Sequence, residues 1–195
     1  MIKNILDSMN NYSMSHSKVS ETYNLTMDYI NKNYVKGGAI YNTEANKAIQ
    51  AHKDALAPLS SNYIESVTKT IESARQALKK AVAKSPTAEQ LHLIAMVKDG
   101  KVKDSEKAYL LEAVKDNYFA SRLMRESLGM EDEDTIGELQ GAINDLEKVA
   151  LNFVTDSGKP NNDYLTRNVL QGEWISEVDS VFNSIVETYG KGVNE

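Results

Sequence analysis

The sequence predicts an all-α protein, an irregular bundle of about seven or eight helices with one or two long amphipathic helices. Three observations carry that expectation. Apolar residues recur at alternating three- and four-residue intervals, as in Ile64, Val67, Ile71, Ala74 and Leu78, which places them on one face of a helix. Helix breakers are scarce, with 3 Pro and 10 Gly in 195 residues, against usual frequencies of about 5% and 7%. No segment alternates cleanly between apolar and polar residues, the pattern of a half-buried strand. No repeat of fixed period is visible either, so a solenoid is not expected.

At the start of the chain Ile2, Ile5, Leu6 and Met9 share one face of a short helix. Residues 10–17 read Asn-Asn-Tyr-Ser-Met-Ser-His-Ser. These are poor helix formers, and a flexible link is expected there. Val19, Tyr23, Met27, Ile30 and Tyr34 then mark a helix, with Ser17 or Ser20 as its cap and Gly37-Gly38 as its stop. The next helix is expected to begin near Thr43 and to turn Ala45, Ala48, Ile49, His52 and Leu56 inward. Pro58 interrupts this pattern, yet the stripe resumes as Tyr63, Ile64, Val67, Ile71, Ala74, Leu78 and Val82. Two solutions stay open: one long kinked helix over 43–84, or two helices joined near Pro58. Arg75, Lys79, Lys80 and Lys84 give the stretch a basic end, which suits a helix C-terminus.

Ser85-Pro86-Thr87-Ala88-Glu89 is a helix start. Leu91, Ile94 and Ala95 line the short helix that follows, which ends at Lys98-Asp99-Gly100. Asp104 or Ser105 opens another, with Ala108, Leu111, Val114 and Tyr118 on one face, and Phe119, Leu123, Met124 and Leu128 continue to Gly129. Thr135-Ile136-Gly137-Glu138 reads as a capping box behind the acidic run 131–134. Ile136, Leu139, Ile143, Leu146, Ala150 and Phe153 form the stripe behind it. Residues 156–162 carry loop signals. A last helix over about 162–189 carries Leu165, Val169, Trp174, Val178, Val181, Phe182, Ile185 and Tyr189. The organisation expected is a long-helix, coiled-coil-like part over 1–84 and a compact helical part over 85–195, compatible with one continuous domain.

Lys and Arg number 22 against 28 Asp and Glu, a net charge of −6, so direct nucleic-acid contact is not expected. The chain has no Cys, which excludes disulfides, thiolate metal sites and Cys nucleophiles. Its first residues are too polar for a secretory signal, and no apolar run reaches the ~18 residues of a membrane span. The expectation is a protein with no membrane partner that stays in the cell that makes it or is packaged there. Glu89-x-x-His92 matches half of a di-iron site, but neither His16 nor His52 supplies the second half. A calcium loop starting at Asp132 would place Ile136 and Ile143 where oxygen ligands are needed. Gly-rich phosphate loops, His-Glu-x-x-His and Gly-x-Ser-x-Gly are missing. No catalytic residue, metal or other cofactor is expected, and the chain is read as a non-enzyme.

Tyrosine is the unusual component: 10 Tyr stand against 3 Phe and 1 Trp, with 7 Met besides. Tyr suits positions with one end buried and one wet, including protein interfaces, and Met adds adaptable apolar surface. The partner contacts expected are exposed members of the stripes, Tyr63, Ile64, Ile71, Leu78, Trp174 and Phe182. The alternative is that these residues fill an internal core.

The segment Pro86-Thr87-Ala88-Glu89-Gln90-Leu91, then Val102-Lys103-Asp104-Ser105-Glu106, then Asp116-Asn117-Tyr118 and Leu123 resembles helical head-associated proteins of tailed bacteriophages of low-GC Gram-positive bacteria. The resemblance covers a minority of the chain and rests on helix punctuation. It implies a scaffolding or accessory capsid role, in a phage head assembled in the bacterial host cytoplasm. It carries over no catalytic residue. The partners it implies are the major capsid protein or another virion protein, and the amphipathic faces add self-association. The alternative from the residues is a free intracellular helical binding protein, such as an inhibitor of a host defence protein.

Overall fold

The computed structural model describes residues 1–100, 102–130, 135–155, 159–161 and 173–190, with only the backbone described at 173 and 174. The chain is all-α, and seven α-helices lie among the described residues: α1 (Ile2–Asn33), α2 (Ala39–Val82), α3 (Ala88–Lys98), α4 (Lys107–Val114), α5 (Tyr118–Ser127), α6 (Thr135–Leu151) and α7 (Glu173–Tyr189). A 3₁₀ turn, Asp104–Glu106, precedes α4. An isolated antiparallel bridge pairs Val154 with Pro160. Two compact units emerge, Met1–Ile71 with Asp145–Ile175 and Glu72–Asn144 with Ser176–Glu195. The 84/85 boundary expected from the sequence falls just past the end of α2; the units themselves divide inside α2, α6 and α7.

In the first unit α1 and α2 run antiparallel. From Ser8 to Asn31 on α1, the hydrogen-bonded partner on α2 recedes from Ser66 to Tyr41. The flexible link expected over residues 10–17 is instead the middle of α1. The seven poor helix formers in this stretch, all but Met14, forfeit roughly 3–5 kcal/mol relative to Ala. Met9 and Tyr12 are buried on the same face as Ile2 and Ile5, and each such burial contributes roughly 1.5–3 kcal/mol. Tertiary packing therefore outweighs propensity, and Ser17 and Ser20 lie mid-helix rather than at a cap. Serine and threonine hydroxyls bond back to carbonyls four residues earlier, as Ser8 to Asn4 (2.9 Å) and Thr26 to Thr22 (2.8 Å). The helix ends at Asn33, before Gly37, whose φ of +83° needs the freedom of glycine.

One continuous helix accounts for the stretch around Pro58, which lies inside α2. This helix starts at Ala39 rather than Thr43, and the Thr43 hydroxyl bonds the Ala39 carbonyl (3.0 Å) from one turn inside. Tyr63, Val67, Ile71, Ala74, Leu78 and Ala81 are all buried along it.

In the second unit α3, α4 and α5 pack together around Ile94, Val97, Val114, Ala120 and Met124. The starts of α3 and α5 are set by side-chain caps. Thr87 accepts from the Gln90 amide N–H (3.2 Å), and the Gln90 side chain accepts from the Thr87 N–H (3.0 Å). The Gln90 amide also donates to Asp116 (2.9 Å), so Gln90 turns inward and Leu91, expected inside, is exposed. Ala95 and Ala108 are exposed as well. Phe119 is also displaced outward, because Ala120 and Met124 occupy the inner face of α5. Asn117 is fully buried: its Oδ1 accepts from the Ala120 N–H (2.9 Å) and its Nδ2 donates to the Lys84 carbonyl (3.0 Å). Thr135, expected as a cap, is already the first residue of α6, and the acidic run before it lies outside the described residues. The expected loop falls partly outside them too, as do Leu165, Val169 and the start of the last helix.

Asn117→Ala removes the α5 cap and strands the Lys84 carbonyl. It should lower unfolding free energy by about 2–4 kcal/mol in urea titrations; a loss under about 0.5 kcal/mol would contradict the capping role.

Candidate functional site

The densest set of interacting side chains lies in the first unit, on the α1–α2 seam. Tyr12 of α1, Tyr63 of α2 and Phe153 after α6 form an aromatic triad. Ring centroids are 5.2 Å apart for Tyr12–Tyr63, 5.7 Å for Tyr63–Phe153 and 6.3 Å for Tyr12–Phe153. Such tilted and edge-on pairs are the geometries aromatic quadrupoles favour. Both phenols are anchored. The Tyr63 hydroxyl donates to the Ala150 carbonyl (2.7 Å), and Tyr12 shares a hydrogen bond with Ser60 (3.1 Å). Burial and the neighbouring Tyr12 push the Tyr63 phenol well above its ordinary range, so it is locked as a neutral donor.

Beside the triad, an open cavity of about 210 Å³ is lined by Ser8, Asn11, Tyr12, Ser15, Leu59, Asn62, Tyr63 and Ser66. This lining offers hydroxyl and amide hydrogen bonds with no group that is ionised at pH 7. Further along the seam, Tyr23 stacks on His52 with centroids 4.5 Å apart and planes at 24°. A second cavity, about 190 Å³, is lined there by Val19, Thr22, Tyr23, Thr26, Ala48, Ala51, His52 and Ala55. His16 lies between the two regions in sequence, its ring centroid 6.2 Å from Tyr12 and its Nδ1 3.5 Å from the Ser20 hydroxyl.

Four of the six expected contact residues are corrected by their burial: Tyr63 (4% exposed), Ile71, Leu78 and Phe182 are inside the fold. The physical reason is the stripe itself, since residues at this spacing all turn to the side of α2 or α7 that the chain covers. Ile64, one residue and so about 100° round the helix from Tyr63, is exposed. The Trp174 side chain lies outside the described residues.

No family model, no curated protein and no solved structure matches this chain. Among the described residues, no group of three or more His, Cys, Asp or Glu side chains is placed to hold a metal ion, and no helix is long and apolar enough to cross a membrane. His92, of the Glu89-x-x-His92 spacing, is exposed on α3. In the basic cluster, Arg75 donates to Asn144 (2.7 Å) and Lys84 pairs with Asp116 (3.6 Å), while Lys79 and Lys80 are exposed.

Apolar side chains more exposed than Ile64 occur at positions outside the expected set. Leu25 and Tyr29 of α1, Val35 of the connection and Ile40 of α2 are each at least 60% exposed. Leu25 and Tyr29 are out of phase with the inward stripe of half-buried Val19, Tyr23 and Met27 and buried Ile30. A large apolar residue off the stripe was the sequence signal that could have found them.

Tyr63→Phe should cost about 1 kcal/mol through loss of the bond to Ala150, and Tyr63→Ala about 3–5 kcal/mol, both read from denaturant midpoints. Equal losses for the two variants would contradict the aromatic packing assigned to this ring.

Proposed function

We propose that this protein is a non-enzymatic structural component of a phage particle, which docks apolar helical surface onto the major capsid protein or onto further copies of itself. It acts in the phage head as an accessory capsid or scaffolding protein, after assembly in the bacterial host cytoplasm. The observation that carries this reading is the set of exposed apolar side chains at the α1–α2 connection, Leu25, Tyr29, Val35 and Ile40. Leu25 and Tyr29 are four residues apart and so neighbours on one side of α1. Helical partners read such i, i+4 pairs as anchors for a groove or a facing helix.

Two further features support it. The segment that resembles phage head proteins folds as the α3–α5 set, with Thr87 and Asn117 as working caps. The seam chemistry of Tyr12, Tyr63 and the cavity beside them is that of neutral hydrogen-bonding groups that hold helices together.

The test is mass spectrometry of purified particles and proheads. Stoichiometric amounts of the chain are expected, and Leu25→Asp with Tyr29→Asp should reduce incorporation at least tenfold while leaving helical circular dichroism unchanged; loss of about 1.4 kcal/mol of docking free energy corresponds to that factor. Absence from particles, with a discrete complex formed instead with one host protein, would replace this reading by that of an inhibitor.

A further inference from the structure

The α1–α2 seam holds two of the three histidines of the chain on facing helices, and neither ring is fully satisfied. His16 Nε2 and His52 Nδ1 are both enclosed without a hydrogen-bond partner. In neutral imidazole one ring nitrogen carries no proton, so an enclosed nitrogen with no donor facing it is tolerable. In imidazolium both nitrogens are donors. Protonation of His16 would therefore bury a charged N–H with no acceptor, which costs several times what a neutral orphan costs.

The surroundings make this worse rather than better. Along α1 the His16 ring meets Tyr12 and the Ser20 hydroxyl. His52 of α2, which itself stacks on Tyr23 of α1, and Lys159 of the turn after α6 both act on it electrostatically. Among the described residues, the two that act on its charge, His52 and Lys159, are both basic. Desolvation first, then His52 and Lys159, hold the His16 pKa below the usual value near 6.5.

We propose that His16 and His52 form an acid-sensitive latch, which keeps the α1–α2 hairpin closed at neutral pH and loosens it when His16 takes a proton. Opening uncovers the rest of the half-buried stripe of Val19, Tyr23 and Met27, together with buried Ile30, so acidification converts a partly covered helical face into an exposed one. The sign follows from linkage. The folded hairpin favours neutral His16, and the open chain takes up the proton near the ordinary histidine value. Closure is therefore at full strength above about pH 7 and weakens as pH falls below about 6.5. The latch stands independently of the docking role proposed above.

Hydrogen exchange on the intact protein between pH 7.5 and pH 5, corrected for intrinsic rates, tests it. Carboxylates have reference values near 4, so histidines dominate this window. Amide protection over residues 12–30 and 41–60 should fall as the pH drops below about 6.5, by at most about tenfold per pH unit for one proton, while protection in α3–α5 stays constant. His16→Gln should flatten the fall, and His92→Gln, on exposed α3, should leave it unchanged. Protection that stays flat in the parent protein, that falls equally in both units, or that falls undiminished in His16→Gln would overturn the proposal. Should His16→Gln not fold, the parent's regional profile decides between the same outcomes.

Discussion

The packing of Tyr12 against Tyr63 and Phe153 is the constraint on which the first unit depends. It joins α1, α2 and the chain after α6 at one point, and the Tyr63 hydroxyl carries the contact on to the Ala150 carbonyl. Its consequence for α1 is large. Residues 10–17 have no intrinsic reason to be helical, and the anchoring of Tyr12 makes the helix worth forming. Once α1 is continuous, its antiparallel register with α2 is fixed from Ser8–Ser66 to Asn31–Tyr41.

The second unit rests on a different principle. Its α3–α5 core is small, and polar punctuation orients it. Gln90, Asn117, Asp116 and Lys84 connect the helix starts through capping bonds and one partly exposed ion pair. The bonds of the fully buried Asn117 have the larger effect, because exposed ion pairs contribute about 0–1 kcal/mol whereas a buried polar group left unsatisfied costs about 1–3 kcal/mol.

Much of the fold was legible in the sequence. The helical class, the cap at Thr87, the stop at Gly100 and the inward stripes of α2 and α6 follow from periodicity and turn chemistry, whereas the break that makes Asn117 the cap of α5 does not, since the spacing puts Tyr118 on the preceding helix. The continuity of α1 was not legible, and that of α2 through Pro58 stayed one of two open solutions, because both depend on contacts between residues about 50 positions apart, such as Tyr12 with Ser60 and Tyr63. Tertiary burial there overrides local preference. Four of the six candidate contact residues, Tyr63, Ile71, Leu78 and Phe182, are buried for a related reason. A periodic apolar stripe says which face of a helix is buried, and Tyr63, Ile71 and Leu78 obey it; surface offered to a partner must come from residues that break the period, as Leu25 and Tyr29 do. The histidine seam was likewise out of reach, since His52 acts on His16 only once the hairpin closes.

Both the exposed face around Leu25 and Tyr29 and the enclosed rings of His16 and His52 exist only if α1 is one unbroken helix laid against α2. Backbone carbon chemical shifts of residues 10–17 at neutral pH test this most directly. Continuous helical shifts from Asn10 through Ser17, lost when Tyr12 is replaced by Ala, are the expected result. Random-coil shifts across these eight residues in the intact protein would contradict the account.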